Sequence, residues 1–62
     1  MDFEKIIGMK FTEAAKAIQQ EGFKVRITKQ DGKNLIVTMD FDVNRINVAV
    51  DDDVVTKILG RG

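Results

Sequence analysis

The feature that most constrains this chain is the absence of both cysteine and histidine from only 62 residues. Without cysteine no disulfide can form, and the usual ligands of zinc and transition metals are missing. Short domains bury a small share of their surface and usually depend on such a staple. The apolar core must therefore suffice by itself, or the chain must associate with other copies. We expect no cofactor and no metal.

Charge and hydropathy argue against several classes of partner. Ten basic residues balance ten acidic ones, whereas proteins that bind nucleic acid carry a basic surface. No apolar stretch approaches the roughly 20 residues of a membrane span. Met1–Lys5 lacks the apolar segment of a signal peptide, but a processed precursor would look the same, so the compartment stays open. We expect a single domain over residues 1–62, a monomer, with no nucleic-acid or membrane partner.

A helical repeat is the first strong pattern along the chain. Four apolar residues recur at the spacing of one helix face: Phe11, Ala14, Ala15 and Ile18. Thr12 is a candidate for the cap at the start. Gly22 is a natural stop, because glycine adopts positive φ without a Cβ penalty. The pattern predicts a helix from about Phe11 to Glu21.

Alternation of apolar and polar residues predicts strands around a long connection. The alternating segments are residues 23–29, 46–51 and, more briefly, 54–58. Asp31-Gly32 is a turn signal after the first strand, and Gly60–Gly62 is expected to be frayed or bound to the surface. Residues 30–44 are long enough for the first two strands to pair in parallel. A connection of this length without regular structure is usually functional or disordered.

The same patterns predict which side chains form the core. The expected members are Phe3, Ile7, Phe11, Ala14, Ile18, Val25, Ile27, Ile46, Val48, Val50 and Ile58. Residues 35–44 admit two interpretations. Period alone favours a third strand followed by a turn, with Asp40 and Asp42 pointing outward. The alternative is an irregular, functional connection.

A more specific signal decides between them. In residues 37–51, Val-Thr-Met is followed by an acidic residue, then by Asn-Arg and alternating apolar residues. Matching features outside this segment are Phe3 (usually Trp), Gly8, Glu13-Ala14, Lys16 and Gly62. On these residues the chain resembles the potato inhibitor I family of serine protease inhibitors. The resemblance implies an α+β fold, in which one helix packs on a small mixed β-sheet with an exposed protease-binding loop at about 34–45.

The resemblance also implies which residues would act. The loop enters the active site of a subtilisin-like or chymotrypsin-like serine protease as a substrate does, and the bond between Met39 and Asp40 is cleaved slowly. The implied binding residues are Ile36, Val37, Thr38, Met39, Asp40 and Phe41. Met39 would fill the primary specificity pocket, because it is long, unbranched and apolar. The implied supports of the loop are Thr38, Asp40, Arg45 and Asn47.

Departures from the family pattern keep a second hypothesis open. Asn47 stands where the family has a second supporting arginine, which favours a non-inhibitory protein-interaction module of the same fold. Arg45 is expected to reach Thr38 and Asp40 at once, and Arg61 would assist if the C-terminus folds under the loop. An enzyme is not expected, because no candidate base lies beside a nucleophile.

Overall fold

The helix and the three longer strands form where the sequence is periodic. The structure, a computed structural model, describes residues 2–62. A 3₁₀ turn, one α-helix and four strands follow in order: Phe3–Ile6, α1 (Phe11–Gln20), β1 (Lys24–Gln30), β2 (Lys33–Asn34), β3 (Arg45–Asp51) and β4 (Val54–Arg61). The strand order is β2-β1-β3-β4, with β1 and β3 parallel and both outer pairs antiparallel. Because α1 packs on one face of this mixed sheet, the predicted α+β fold is confirmed.

The two ends of α1 are made differently. Lys10 occupies the N-cap position without a side-chain hydrogen bond, so the prediction of a Thr12 cap is wrong. The amide of Phe11 instead donates to the carbonyl of Asp53 at 2.7 Å, and this backbone contact satisfies one of the free N–H groups of the first turn. At the other end Gly22 has φ +85°, and the helix stops within a residue of its predicted end.

Parallel pairing of β1 with β3 aligns their apolar faces. Val25 is opposite Ile46, and Ile27 is opposite Val48, so the alternating apolar residues of both strands face α1 together. The Asp31-Gly32 turn is confirmed: both residues have positive φ, 51° and 80°, as a two-residue hairpin requires. β2, at only two residues, is too short to leave a periodic signal.

Residues 35–44, the 35–44 loop, form neither helix nor strand. The amide of Leu35 still donates to the carbonyl of Thr28 at 3.0 Å, but beyond it the chain leaves the sheet. The interpretation as a third strand is therefore wrong. A strand needs a neighbouring backbone to satisfy its amides, whereas side chains of the sheet hold this segment.

Of the two alternatives for Gly60–Gly62, frayed or bound to the surface, fraying is wrong, because the segment is bound along β3. β4 continues through Arg61, which is opposite Ile46 in β3. Gly62 is buried, and its amide donates to the carbonyl of Arg45 at 3.0 Å. Gly60 and Gly62 are ordered because their backbone pairs with β3. No local signal in the sequence reveals this pairing.

The core lies between α1 and the sheet. Its buried members are Ile6, Ala14, Ile18, Ile46, Val48, Val50 and Val55, and the residues packed against them include Phe3, Phe11, Val25, Ile27 and Ile58. Ile7 was predicted for the core, but it is 46% exposed while Ile6 is fully buried. The 3₁₀ turn ends at Ile6 and Ile7 is extended, so the two adjacent side chains point in different directions.

No α-helix formed by residues 2–62 has the length and apolar character needed to cross a membrane.

Ile6 and Ile7 provide a matched test of this core. Ile6→Ala should lower the free energy of unfolding by about 2–4 kcal/mol, because it removes a buried side chain and leaves a cavity. Ile7→Ala, the control with the same change of chemistry, should cost less than about 1 kcal/mol, because half of its side chain is already in water. Urea unfolding followed by circular dichroism measures both. Equal losses would contradict this assignment.

Candidate functional site

The 35–44 loop places large apolar side chains in solvent. Ile36 and Met39 are fully exposed, at 104% and 101%, and Phe41 is 74% exposed. Val37 between them is only half-buried and turns toward the body of the protein. Large exposed apolar side chains concentrated in one segment often mark a site that contacts another molecule. This loop is therefore the candidate site.

A side-chain hydrogen bond spans Met39. The hydroxyl of Thr38 donates to the Oδ1 carboxylate oxygen of Asp40, so the residues on either side of Met39 are tied to each other. Met39 lies at the bend between them, and its side chain is exposed rather than packed in the core. The contact holds the backbone on both sides of the Met39–Asp40 bond while the Met39 side chain stays exposed.

Arg45, at the start of β3, holds the Asp40 side of this bond. Its Nη1 donates to Asp40 Oδ2 at 3.2 Å, and its Nη2 donates to the Asp40 carbonyl at 3.2 Å. The same Nη2 donates to the carbonyl of Gly62 at 2.7 Å. Its side chain is only 13% exposed, so the guanidinium is packed as well as paired. The expected contact of Arg45 with Asp40 is present, but Thr38 is contacted by a different arginine.

That arginine is Arg26 of β1, which the sequence did not single out. Its Nη1 lies 3.4 Å from both the carbonyl and the hydroxyl oxygen of Thr38, and 3.7 Å from Asp40 Oδ1. Its Nε donates to Oδ1 of Asn47 at 3.0 Å, and its Nη2 donates to the carbonyl of Gly62 at 3.2 Å. Among the described residues the Asn47 side chain forms no hydrogen bond with the loop, and it accepts one from Arg26 instead.

Gly62 is the point where both arginines meet. A Cβ on this residue would lie 2.9 Å from Cδ2 of Phe41, and its φ is +116°, so only glycine fits. The expected assistance from the Arg61 side chain is not present, because Arg61 packs on aromatic rings away from the loop. Its guanidinium lies 5.8 Å and 5.2 Å from the ring centroids of Phe3 and Phe23. The C-terminal segment contributes a backbone carbonyl to the site rather than an arginine side chain.

The end of the 35–44 loop is anchored separately through Asp42. Its carboxylate accepts from the amide of Asn44 at 2.9 Å and from Nζ of Lys24 at 3.0 Å. The Asn44 amide and then the Lys24 ammonium hold the pKa of Asp42 below its ordinary value. The carbonyl of Asn44 in turn accepts from the amide of Lys24 at 2.7 Å. Asp42 is therefore a structural anchor, and Asp40 and Asp42 both differ from freely solvated charges.

Asp40 is the most strongly perturbed carboxyl group of the site. The hydroxyl of Thr38 and then the guanidinium of Arg45 donate to its charged form and lower the pKa of Asp40 from 3.8 to about 2. Because this pKa is lower in the folded chain, the contribution of Asp40 to stability is fully present above about pH 4. It is lost as the pH falls through about 2.

We predict that Asp40 titrates with a midpoint near pH 2 when its carboxyl carbon is followed by NMR, because its pKa is about 2. Thr38→Val removes the largest cause of the shift and should move the midpoint toward 3.8, the ordinary value. Arg61→Ala serves as the control and should leave the midpoint unchanged, since Arg61 packs on Phe3 and Phe23. A parent midpoint near 3.8 would contradict the hydrogen bonding described for Asp40.

Comparison with known proteins agrees with this architecture. A profile of the potato inhibitor I family matches residues 5–58, a span that contains α1, β1, β2, β3 and the 35–44 loop. A search of curated protein sequences finds no match. One helix on a mixed four-stranded sheet is consistent with the fold of that family. Because the profile covers most of its length, the chain belongs to the potato inhibitor I family, a family of serine protease inhibitors.

Proposed function

We propose that this chain inhibits subtilisin-like or chymotrypsin-like serine proteases through residues 34–45, with Met39–Asp40 as the reactive bond. One observation carries the proposal. Met39 is fully exposed, yet the residues on both sides of it are bonded to each other and to arginines of the sheet. A side chain presented in this way can enter a specificity pocket while the backbone on both sides of it stays ordered.

Preorganisation is the physical basis of the proposed inhibition. A flexible peptide loses conformational entropy when a protease binds it, whereas a loop already held in shape loses little. The holding contacts lie behind the loop, on Arg26, Arg45 and Gly62. Ile36 and Met39 face outward. The proposed binding surface and its supports therefore use different atoms, and binding does not have to break the supports.

The same contacts account for slow cleavage. The catalytic serine of the protease would attack the carbonyl carbon of Met39, and the peptide nitrogen of Asp40 would leave as an amine after taking up a proton. Arg45 holds both the carboxylate and the carbonyl of Asp40, so this amine stays close to the acyl carbon. Attack by the amine then re-forms the peptide bond and releases the serine, in competition with water.

The side chains of the loop would contact different parts of the protease. Met39 suits a large apolar pocket and has no charge for the acidic pocket of trypsin-like enzymes. Ile36, Val37 and Thr38 extend before it along the protease surface, as an added strand does. Asp40 and Phe41 lie on the leaving side of the bond. Phe41 packs one edge of its ring near Gly62 and leaves most of its surface exposed.

The alternative is a non-inhibitory interaction module of the same fold, and Asn47 is the residue that favours it. The contacts of Arg26 with Thr38 and Asn47 weigh toward inhibition, because they supply a second guanidinium to the loop. Incubation with subtilisin separates the two. Stoichiometric, durable inhibition supports the proposal, and fast cleavage or indifference supports the alternative.

We predict that Met39 determines which protease is inhibited. Met39→Lys should shift inhibition toward trypsin-like enzymes, because their acidic pocket gains a partner. Met39→Gly should weaken inhibition of subtilisin by about 100-fold or more, because it removes the side chain that would become buried in the specificity pocket. Thr12→Lys adds the same charge at an exposed position of α1 and is the control. Inhibition constants that stay the same for both enzymes in both Met39 variants would show that Met39 is not the anchor.

We also predict that Arg45→Ala turns the inhibitor into a substrate. Its partner Asp40 is 56% exposed, so losing the ion pair should lower the melting temperature by no more than about 8 °C. Mass spectrometry after incubation with subtilisin should then find cleavage between Met39 and Asp40 much faster than in the parent. Inhibition as durable as that of the parent would show that Arg45 does not hold the loop, and global unfolding would make it a structural residue.

A further inference from the structure

Two arginines from neighbouring strands hold opposite sides of one peptide bond. Arg26 of β1 contacts the carbonyl and hydroxyl of Thr38, on the acyl side of Met39–Asp40. Arg45 of β3 contacts the carboxylate and carbonyl of Asp40, on the amine side. Both guanidinium groups also donate to the carbonyl of Gly62. The two sides of the bond are thus attached to the same backbone atom through separate side chains.

We propose that Arg26 is a positioning residue for inhibition, which holds the acyl side of the Met39–Asp40 bond while Arg45 holds the amine side. This inference rests on the proposed function. It assigns a role to a residue of β1, outside the segment that resembles the inhibitor loop and its supports. Arg26 does not touch the reacting atoms, and it acts through Thr38.

The register of the sheet explains why Arg26 can do this. Arg26 and Asn47 are opposite each other in the parallel pair of β1 and β3. Asn47 accepts from Nε at 3.0 Å, which fixes the plane of the guanidinium and leaves both Nη atoms for Thr38 and Gly62. The Arg26 side chain is 20% exposed, so packing also restricts it. The pair Arg26–Asn47 works as one unit, with the cation on one strand and its orienting acceptor on the other.

Besides the direct hydrogen bond between Thr38 and Asp40, a second connection joins the acyl side of the bond to the amine side, and in this connection the two arginines act in series. From Thr38 the path runs through Arg26 to the carbonyl of Gly62, and from there through Arg45 to Asp40. Loosening either arginine breaks this second connection and leaves the direct hydrogen bond between Thr38 and Asp40 as the main link across Met39. Removing both therefore should cost little more than removing one, since links in series are non-additive.

The first test needs no protease, so its result does not depend on the proposed function. Backbone amide relaxation of residues 37–41 is measured by NMR in the parent, in Arg26→Ala and in Arg61→Ala. Order parameters should fall from about 0.85 to below about 0.6 in Arg26→Ala, and stay at the parent value in Arg61→Ala, the arginine control. Unchanged order parameters in Arg26→Ala overturn the proposal.

The second test measures cleavage at Met39–Asp40 by subtilisin with mass spectrometry. Arg26→Ala should be cleaved about tenfold faster than the parent or more, and the double variant with Arg45→Ala should be no more than about threefold faster than the faster single variant. Multiplicative rate effects would overturn the series arrangement. If the parent itself does not inhibit, the proposed function fails, and the relaxation data alone decide whether Arg26 positions the loop.

Two further variants separate positioning from folding. Arg26→Asn combined with Asn47→Arg moves the guanidinium to the opposite strand of the register pair, and it should restore the order parameters of the 35–44 loop. If the loop of this double variant is as mobile as that of Arg26→Ala, the claim that Arg26 and Asn47 act as one unit is overturned. Should Arg26→Ala unfold, Arg26→Lys keeps the charge and the apolar stem but loses the fork of donors. A parent-like loop in Arg26→Lys overturns the proposal.

Discussion

The carbonyl of Gly62 accepts hydrogen bonds from both Arg26 and Arg45, and the shape of the 35–44 loop depends on this meeting point. Each guanidinium has donors left over for the loop once it is fixed on the sheet. A carbonyl has two lone pairs, so one backbone atom can hold two arginines. The positive charges come close together, but the carboxylate of Asp40 in the loop lies 3.7 Å from Arg26 and 3.2 Å from Arg45 and offsets part of their repulsion.

This meeting point exists only because three strands are in register. β1 supplies Arg26, β3 supplies Arg45, and antiparallel pairing with β3 delivers the end of β4 to the same place. The face of the sheet toward α1 carries the apolar core, and the alternation of side chains sends the arginines to the opposite face. The alternation of side chains along β1 and β3 therefore produces both the core and the loop support. A shift of one residue in the register of either strand would send its apolar side chains to the loop side and its polar side chains to the core side.

Because the chain is small, the same strands supply both the core and the contacts to the loop. A chain this short without cysteine depends strongly on its apolar cluster for stability, and that cluster draws members from the 3₁₀ turn, α1, β3 and β4. No polar or charged side chain is buried among the described residues. The arginines that contact the 35–44 loop are largely covered, with 20% of the Arg26 and 13% of the Arg45 side chain exposed, and Nε of Arg45 is buried without a hydrogen-bond partner in the part of the chain that the structure describes. Asp40 is 56% exposed, so its ion pairs contribute more to the order of one segment than to global stability.

The sequence by itself determined the periodic parts. Helical spacing predicted α1, alternation predicted β1 and β3, and the resemblance carried by residues 37–51 predicted the irregular loop and the family. Local signals failed at the cap of α1, because the carbonyl of Asp53 between β3 and β4 takes the place of a side-chain cap. They also failed to predict that Gly60–Gly62 are ordered by pairing with β3, and at Ile7, because the 3₁₀ turn ends one residue before it. Tertiary structure alone revealed Arg26, since an arginine in the polar phase of a strand looks like any solvated charge. The parallel register of β1 and β3 places Arg26 opposite Asn47. Its contact with Thr38 joins residues 12 positions apart in the chain, so no local sequence pattern reveals it.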